Sequence, residues 1–188
     1  MTDLFDPSIY ELRDDDLAGE YNVCNILEVA GGSLSGRVRL QKTVFLLGKL
    51  RGTPYFPYAY HHYGPYSAEL AEAVDVATIF GMVSESVEHR DSDGARYSRY
   101  ELVSKPRIGV DGFLKTPSAV SALSAIEKAG STVLELAATA YWLKYDEGQA
   151  DWRTEIVRRK GVKTEGGRLE KAIELLREIG LGRDMAPA

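Results

Sequence analysis

The chain of 188 residues contains one cysteine, three histidines and no apolar run close to the length of a membrane helix. The lone Cys24 excludes an internal disulfide and fits a reducing compartment. Val23 and Ile26 place it on a predicted helix face, which favours a buried structural thiol over a nucleophile. A membrane helix needs roughly 20 apolar residues, and the acidic start Met1-Thr2-Asp3 lacks the basic residues of a signal peptide. These absences predict a cytoplasmic protein without a membrane segment.

Residue patterns for metal or nucleophilic chemistry are also missing. His61 and His62 are adjacent, so in a strand their side chains would point to opposite faces, and His89 lies near a predicted hairpin tip. No serine stands in a Gly-x-Ser-x-Gly elbow, and no Walker-type phosphate loop is present. The sequence therefore predicts no metal, no cofactor and no catalytic residue. An enzyme whose site is assembled from distant residues is the third alternative for the function.

The composition is that of a globular protein, with 44% hydrophobic and 27% charged residues. The formal net charge of −5 argues against nucleic-acid binding over the whole surface, but it leaves room for a local basic patch. The stretch between Gly36 and Gly52 is basic and contains no acid. It predicts either a solvated helix face or a docking surface for an anionic partner, formed by Arg37, Arg39, Lys42, Lys49 and Arg51.

The order of predicted elements indicates an α+β protein that is mainly α-helical. Residues 1–16 are predicted to form an N-terminal arm. Residues 17–105 are predicted to form a winged-helix-like unit, whose β-hairpin wing joins strands 82–89 and 95–103 through an Asp-Gly turn. Residues 116–182 form a predicted C-terminal helical unit. We expect the two units to pack against each other as one compact domain.

Hydrophobic spacing predicts the helices of both units, at about 14–30, 37–50, 67–80, 116–129, 133–145, 151–160 and 168–179. We expect Phe80 and Val120 to lie on the buried faces of their helices. The helix over 133–145 is apolar on nearly every side, so we expect it to be central and to bury Trp142. Thr132 and Glu135 have the spacing of a capping box at its start.

The stretch most constrained in composition is Tyr60-His61-His62-Tyr63-Gly64-Pro65-Tyr66-Ser67-Ala68-Glu69-Leu70, which we term the hinge segment. Gly64 can adopt backbone angles closed to other residues, and Pro65 disfavours the helical conformation in the residue before it. Ser67 is predicted to cap the following helix by accepting from an early backbone N–H. The segment therefore predicts a turn that leads directly into a helix.

The hinge segment also carries a resemblance to a known family. Leu40-Gln41-Lys42-Thr43-Val44-Phe45-Leu46-Leu47, followed by His62-Tyr63-Gly64-Pro65-Tyr66-Ser67 and Glu69-Leu70, resembles the YwgA-like family and its relatives with a SocA-like, or Panacea, antitoxin domain. A similar pairing occurs in the toxin-inhibiting part of DarG-type antitoxins. Leu136-Ala137-Ala138-Thr139-Ala140-Tyr141-Trp142-Leu143 resembles a later helix of the YwgA-like group. The likeness spans roughly residues 17–180.

The resemblance implies a non-catalytic protein-interaction module. Such a module would bind and neutralise a toxin encoded nearby, or act in phage defence. The chain lacks the ADP-ribose-hydrolysing domain of DarG-type proteins, so that activity is not expected. The oligomeric state is left open, and a homodimer is compatible with the sequence.

Two observations select the residues predicted to bind the partner. One is the family resemblance, and the other is the cluster of tyrosines around the hinge segment. Tyrosine is a residue type in which interface binding energy concentrates. The resemblance assigns its residues, Pro65 among them, to the fold and its interface, without a catalytic role. The predicted partner-binding set is Gln41, Lys42, Tyr60, His62, Tyr63, Gly64, Tyr66 and Ser67.

A winged-helix transcriptional regulator is the alternative function. In that geometry the helix over 67–80 would enter the major groove of DNA, but Glu69, Glu72 and Asp75 on its exposed face would repel phosphates. The predicted nucleic-acid contacts are therefore basic residues elsewhere, namely Arg90, Arg96, Arg99, Arg158, Arg159 and Lys160.

Overall fold

A computed structural model describes residues 17–91, 94–105 and 109–185. The predicted N-terminal arm, residues 1–16, lies outside the described residues. The elements in chain order are α1 (Ala18–Val29), β1 (Ser33–Ser35), α2 (Arg37–Arg51), β2 (Ala59–His61), β3 (Gly64–Tyr66), α3 (Ala68–Ile79), β4 (Val83–His89), β5 (Arg96–Leu102), α4 (Pro117–Lys128), α5 (Ser131–Tyr141), α6 (Trp152–Lys160) and α7 (Arg168–Glu178). The described chain is thus a mainly helical α+β protein, as predicted.

Two small antiparallel sheets accompany the helices. The predicted wing strands are β4 and β5, and their register pairs Val83 with Leu102 and His89 with Arg96. β1 pairs with the other edge of β5, which gives the strand order β1-β5-β4. β1 was not predicted, because three residues are too few to show an alternating pattern. Ser92 and Asp93 of the predicted turn lie outside the described residues, and the winged-helix interpretation stays a prediction.

Side chains at three helix starts explain where those helices begin. Ser67 Oγ accepts from the N–H of Leu70 at 3.1 Å and begins α3, as predicted. Thr116 Oγ1 accepts from the N–H of Ala119 at 3.3 Å, with a proline at the first position of α4. Asp151 caps α6 in the same way, by accepting from the N–H of Thr154.

The capping box predicted for α5 is wrong. This helix begins after Gly130 without a side-chain cap, so Thr132 already lies inside its first turn. Glu135 consequently sits two positions further into the helix than predicted and turns into the protein, where it is 5% exposed. α5 then continues as a short π-helical turn over Trp142–Asp146.

The core consists of two clusters that share α2. One cluster surrounds α5, whose residues 134–140 are all buried, and includes Phe45 and Leu46. The other gathers α1, α3 and the β1-β5-β4 sheet around Val44 and Leu47. α2 therefore contributes residues to both clusters.

Two residues predicted to be buried are exposed. Phe80 is 51% exposed because α3 ends at Ile79 and Phe80 already belongs to the turn that follows. Val120 is 52% exposed because the buried stripe of α4 is Ala119, Ala122, Leu123 and Ile126. Most of the buried residues of α4 are alanines, so the positions of the large apolar residues alone did not show which face is buried.

Cys24 is a buried free thiol, as predicted. Burial raises the pKa of its thiol to about 11, and nearby Glu20 acts in the same direction. A thiol in this environment stays protonated at neutral pH, which suits a structural role. Within the described ranges, no helix combines the length and apolarity that a bilayer crossing requires.

Candidate functional site

The hinge segment forms a short β-hairpin followed by the start of α3. β2 and β3 pair antiparallel, with Tyr60 opposite Pro65 and His61 opposite Gly64. His62 and Tyr63 form the turn between the strands. We call residues 59–66 the aromatic hairpin.

The aromatic hairpin presents rings to solvent on its outer side. Tyr63 is 48% exposed and Tyr66 is 38% exposed, and both histidines are exposed as well. The rings contact one another, since the centroids of His61 and Tyr66 lie 5.4 Å apart and those of His62 and Tyr63 lie 4.9 Å apart. The result is two pairs of exposed rings on one short hairpin.

Gln41 holds the end of the hairpin from beneath. Its Nε2 donates to the carbonyl of Ser67 at 2.8 Å, and its Oε1 accepts from the N–H of Ser67 at 2.9 Å. The side-chain amide thus pairs with the backbone of Ser67 as a neighbouring strand would. All of these atoms are buried, so leaving either backbone group unpaired would cost about 1–3 kcal/mol.

Two lysines donate hydrogen bonds to backbone carbonyls of the hairpin, one in its second strand and one in its turn. Lys42 Nζ donates to the carbonyl of Pro65 at 2.5 Å, and Lys160 Nζ donates to the carbonyl of His62 at 2.9 Å. Lys42 is 1% exposed, so its ammonium group cannot reach a partner protein. Gln41, Lys42 and Ser67, all predicted to bind the partner, therefore lie beneath the surface.

Gly64 allows the hairpin to lie directly on α5. Its φ of +84° is in the left-handed region, which favours glycine. A Cβ at this position would lie 2.5 Å from Oγ1 of Thr139, far inside van der Waals contact. The Thr139 hydroxyl is itself fixed, because it donates to the carbonyl of Glu135 at 2.8 Å.

A buried charge cluster lies between α5 and the hairpin. Glu135 accepts from Lys160 at 2.9 Å and from Lys163 through both carboxylate oxygens, each at 2.9 Å. The Lys160 side chain is 2% exposed, whereas Lys163 reaches solvent and lies 4.9 Å from the ring centre of Tyr63. Lys163 therefore contacts both the buried Glu135 and the exposed ring of Tyr63.

Burial and the neighbouring charges shift the pKa values of the groups in this cluster. Burial opposes ionisation of Glu135, but hydrogen bonds from Lys163 and Lys160 outweigh it and hold the pKa of the carboxyl below its ordinary value. Burial lowers the pKa of Lys42 to about 8, with Glu135 opposing that shift and Lys160 adding to it. Burial also lowers the pKa of Lys160. The cluster therefore contains more ammonium groups than carboxylates, and most of these groups are buried.

Tyr60 connects the hairpin to α6. The guanidinium carbon of Arg159 lies 4.5 Å from the Tyr60 ring centre, and Arg159 also pairs with Glu147 at 2.7 Å and Glu155 at 2.5 Å. Arg158 binds Glu155 at 2.7 Å. Arg158 and Arg159 thus share Glu155, while Lys160 is enclosed and bonds to Glu135 and to the carbonyl of His62. The expectation that Lys160 contacts nucleic acid is corrected, since no phosphate can reach its buried ammonium group.

The basic residues of α2 also have partners within the protein. Arg39 donates to the carbonyls of Ile126 and Ala129 at 2.8 and 2.7 Å and so closes the C-terminal end of α4. The other exposed cations pair with carboxylates, in the pairs Arg37–Glu85, Lys49–Asp146 and Arg51–Asp111. This face is therefore partly neutralised by the fold itself.

The wing residues of the predicted nucleic-acid set differ in their surroundings. Arg90 and Arg96 are exposed near the end of the β4–β5 hairpin. Arg99 is half-buried and bonds to Glu101 at 2.8 Å and to Ser33 Oγ at 3.1 Å. Arg90 and Arg96 are consequently the more accessible of the three.

Sequence reasoning missed the residues that approach the hairpin from α5 and from the loop after α6, namely Glu135, Thr139 and Lys163. One signal was present, because Glu135 is the sole charged residue in α5. A charge in an otherwise apolar helix indicates a buried partner of opposite sign. Across the described part of the chain, no group of three His, Cys, Asp or Glu side chains could hold a metal ion.

No family model matches the chain. The uncharacterized protein YwgA of Bacillus subtilis (strain 168) is similar to it, with 29% identity over 121 residues, which is 64% of this chain and 70% of YwgA. This similarity supports the YwgA-like part of the resemblance. The likeness to SocA-like and DarG-type antitoxins stays a prediction, and the name of the relative assigns it no activity.

Proposed function

We propose that the protein is a non-catalytic protein-interaction module of the antitoxin type, which binds and neutralises a toxin encoded nearby through its aromatic hairpin. A role in phage defence would use the same contact. The observation that carries this proposal is the contrast between the buried and the exposed residues of the predicted partner-binding set. Gln41, Lys42 and Ser67 are buried and bind backbone, while Tyr63 and Tyr66 face solvent.

The arrangement suits tight binding because the backbone that carries the exposed rings is fixed before a partner arrives. Ordering a loop and its side chains at an interface costs about 0.5–1.5 kcal/mol for each immobilised side chain. Here the backbone beneath the rings is held by Gln41, Lys42 and Lys160. Exposed tyrosines on such a support are typical of residues that dominate the binding energy of an interface.

The charge next to the hairpin favours a partner with a basic surface. α3 begins directly after Ser67 and exposes Glu69, Glu72 and Asp75. Toxins that act on nucleic acid need a cationic groove, because phosphate contacts dominate such binding. An acidic helix beside an aromatic hairpin could occupy that groove, and complementary charge would speed the encounter.

The test is rescue of growth in cells that co-express the protein with the product of its genomic neighbour. The wild-type protein is expected to restore growth, and the double variant Tyr63→Ala/Tyr66→Ala is expected to lose that ability. Copurification of the two proteins, followed by calorimetry, would measure the loss of affinity directly. Two interface tyrosines are each expected to contribute at least about 1–2 kcal/mol, so the affinity should fall by at least about 30-fold.

Phe80→Ala is the matched control. Phe80 is an aromatic residue of similar exposure, 51%, but it follows the far end of α3. This variant is expected to rescue growth as the wild type does. Equal rescue by the wild type and the double tyrosine variant would reject the aromatic hairpin as the binding surface.

A winged-helix regulator is the second candidate, supported by the exposed Arg90 and Arg96 near the end of the β4–β5 hairpin. The acidic face of α3 weighs against it, because that helix would have to enter the major groove. A salt-dependent shift of random duplex DNA at micromolar protein would favour the regulator over the antitoxin.

A further inference from the structure

A basic cleft of about 720 Å³ lies between the start of α2 and the β4–β5 hairpin. It is lined by residues 35–36 and the first turn of α2, by residues of β4 and β5, by Arg90, and by Ser131 at the start of α5. No residue of the aromatic hairpin lines this cleft. The cleft is therefore a separate feature from the surface proposed to bind a protein.

Four arginines line the cleft, namely Arg37, Arg39, Arg90 and Arg96, and none of the described residues that line it is acidic. Arg39 is fixed by the α4 carbonyls. Arg37 binds Glu85 at 3.0 Å, but its side chain is 75% exposed, and a guanidinium has five N–H donors. Donors therefore remain on Arg37 for a ligand in the cleft.

The backbone adds to the positive potential of the cleft. α2 begins at Gly36 without a side-chain cap, and its first turn contains no acidic residue. The N–H groups at the start of a helix carry partial positive charge, and here they border the same space as the arginines. This contribution supplements the guanidinium groups and does not by itself define a site.

We propose that the cleft binds a phosphate-bearing ligand, with Arg37 and Arg96 as its principal contacts. Four guanidinium groups around one concave space repel one another, and a multivalent anion would offset that repulsion in a protein whose formal net charge is −5. The planar fork of arginine matches the oxygens of phosphate and bonds them bidentately. The volume also lies within the range of pockets that hold nucleotide-sized molecules.

Phosphate groups can come from a nucleotide or from a nucleic-acid backbone, and the experiment separates the two sources. Calorimetry would measure binding of pyrophosphate and ATP, and fluorescence anisotropy would measure binding of labelled single-stranded and duplex oligonucleotides. Binding of ATP or pyrophosphate alone assigns a small ligand. Binding of oligonucleotides assigns a nucleic-acid backbone, and either result supports the site.

Substitutions of the cleft arginines test whether binding takes place in the cleft. Arg96→Ala and Arg37→Ala are each expected to weaken binding about tenfold, as expected for the loss of one charge-assisted contact. Arg183→Ala is the matched control, because Arg183 is an exposed arginine outside the cleft, and binding should change less than about twofold. Thermal unfolding of each variant would verify that the fold is intact, and Arg96→Lys would preserve the charge without the fork.

Three results would overturn the proposal. One is the absence of binding by any of the four phosphate probes. Another is an equal loss in Arg183→Ala and Arg96→Ala, which would indicate nonspecific attraction. The last is binding of polyglutamate as tight as that of the phosphate probes, which would show that the cleft selects charge and not phosphate.

Discussion

The contact between Gly64 and α5 leads to a quantitative prediction for Gly64→Ala. An alanine at φ +84° costs about 1–2 kcal/mol in backbone strain. Its Cβ would also lie 2.5 Å from Thr139 Oγ1, and overpacking of this kind costs about 1–3 kcal/mol. We therefore expect the free energy of unfolding to fall by about 2–5 kcal/mol.

Gly81→Ala separates the two contributions. Gly81 has a φ of +66°, and a Cβ there would meet nothing within 4 Å. This control is expected to lose only the backbone contribution of about 1–2 kcal/mol. The difference between the two variants then measures the contact between the hairpin and α5.

A double-mutant cycle with Thr139 identifies the atom responsible. Thr139→Ala removes Oγ1, so it should recover about 1–3 kcal/mol of the loss when combined with Gly64→Ala. Thr139→Ser keeps Oγ1 and should recover little. Urea unfolding at 25 °C provides the measurement, with the slope checked for a constant change in exposed surface. Equal losses in Gly64→Ala and Gly81→Ala, with no coupling to Thr139, would refute the proposed packing.

Two further predictions concern the buried charges. Burial lowers the pKa of Lys42 from 10.5 to about 8, so the folded protein releases this proton at lower pH than the unfolded chain does, and stability should rise with pH through that window. The wild type should gain about 2 kcal/mol relative to Lys42→Met between pH 7 and pH 9.5 in urea titrations, and a constant difference would contradict the shift. Glu135→Gln leaves Lys160 buried without its counter-charge and should cost about 3 kcal/mol, against less than about 1 kcal/mol for the half-exposed control Glu101→Gln. Equal thermal midpoints for these two variants would argue against a buried ion pair.

Features set by local sequence could be predicted. Ser67 marks a helix start through a contact with the residue three positions on, and this prediction is confirmed. The β4–β5 hairpin follows from alternation around an Asp-Gly turn. These signals depend on neighbours along the chain and need no knowledge of the tertiary structure.

Features set by distant residues could not be predicted. Lys160 donates to the carbonyl of His62, 98 positions away in sequence, and this contact determines that the ammonium is buried. A cationic run at the end of a helix is usually solvated, so its sequence predicted exposure for Lys160. Phe80 was predicted to be buried from helical spacing, which fails once the helix has ended.

The same distinction applies to the candidate site. The aromatic composition of the hinge segment indicated a surface of interest, and the pairing of Gln41 and Lys42 with it was visible as a resemblance. The sequence did not separate the buried supports from the exposed rings, because both belong to the same predicted partner-binding set. Only the fold shows that Gln41 and Lys42 lie beneath Tyr63 and Tyr66.

The central claim is that the buried residues Gln41 and Lys42 hold the aromatic hairpin in place through its backbone. Amide hydrogen exchange of Ser67 tests it most directly, because this N–H donates to Gln41 Oε1 at 2.9 Å in a buried position. We predict slow exchange in the wild type, and at least about tenfold faster exchange in Gln41→Ala, with a much smaller change at Leu136 in α5. Fast exchange of Ser67 in the wild type, or the same slow exchange in Gln41→Ala, would contradict the account.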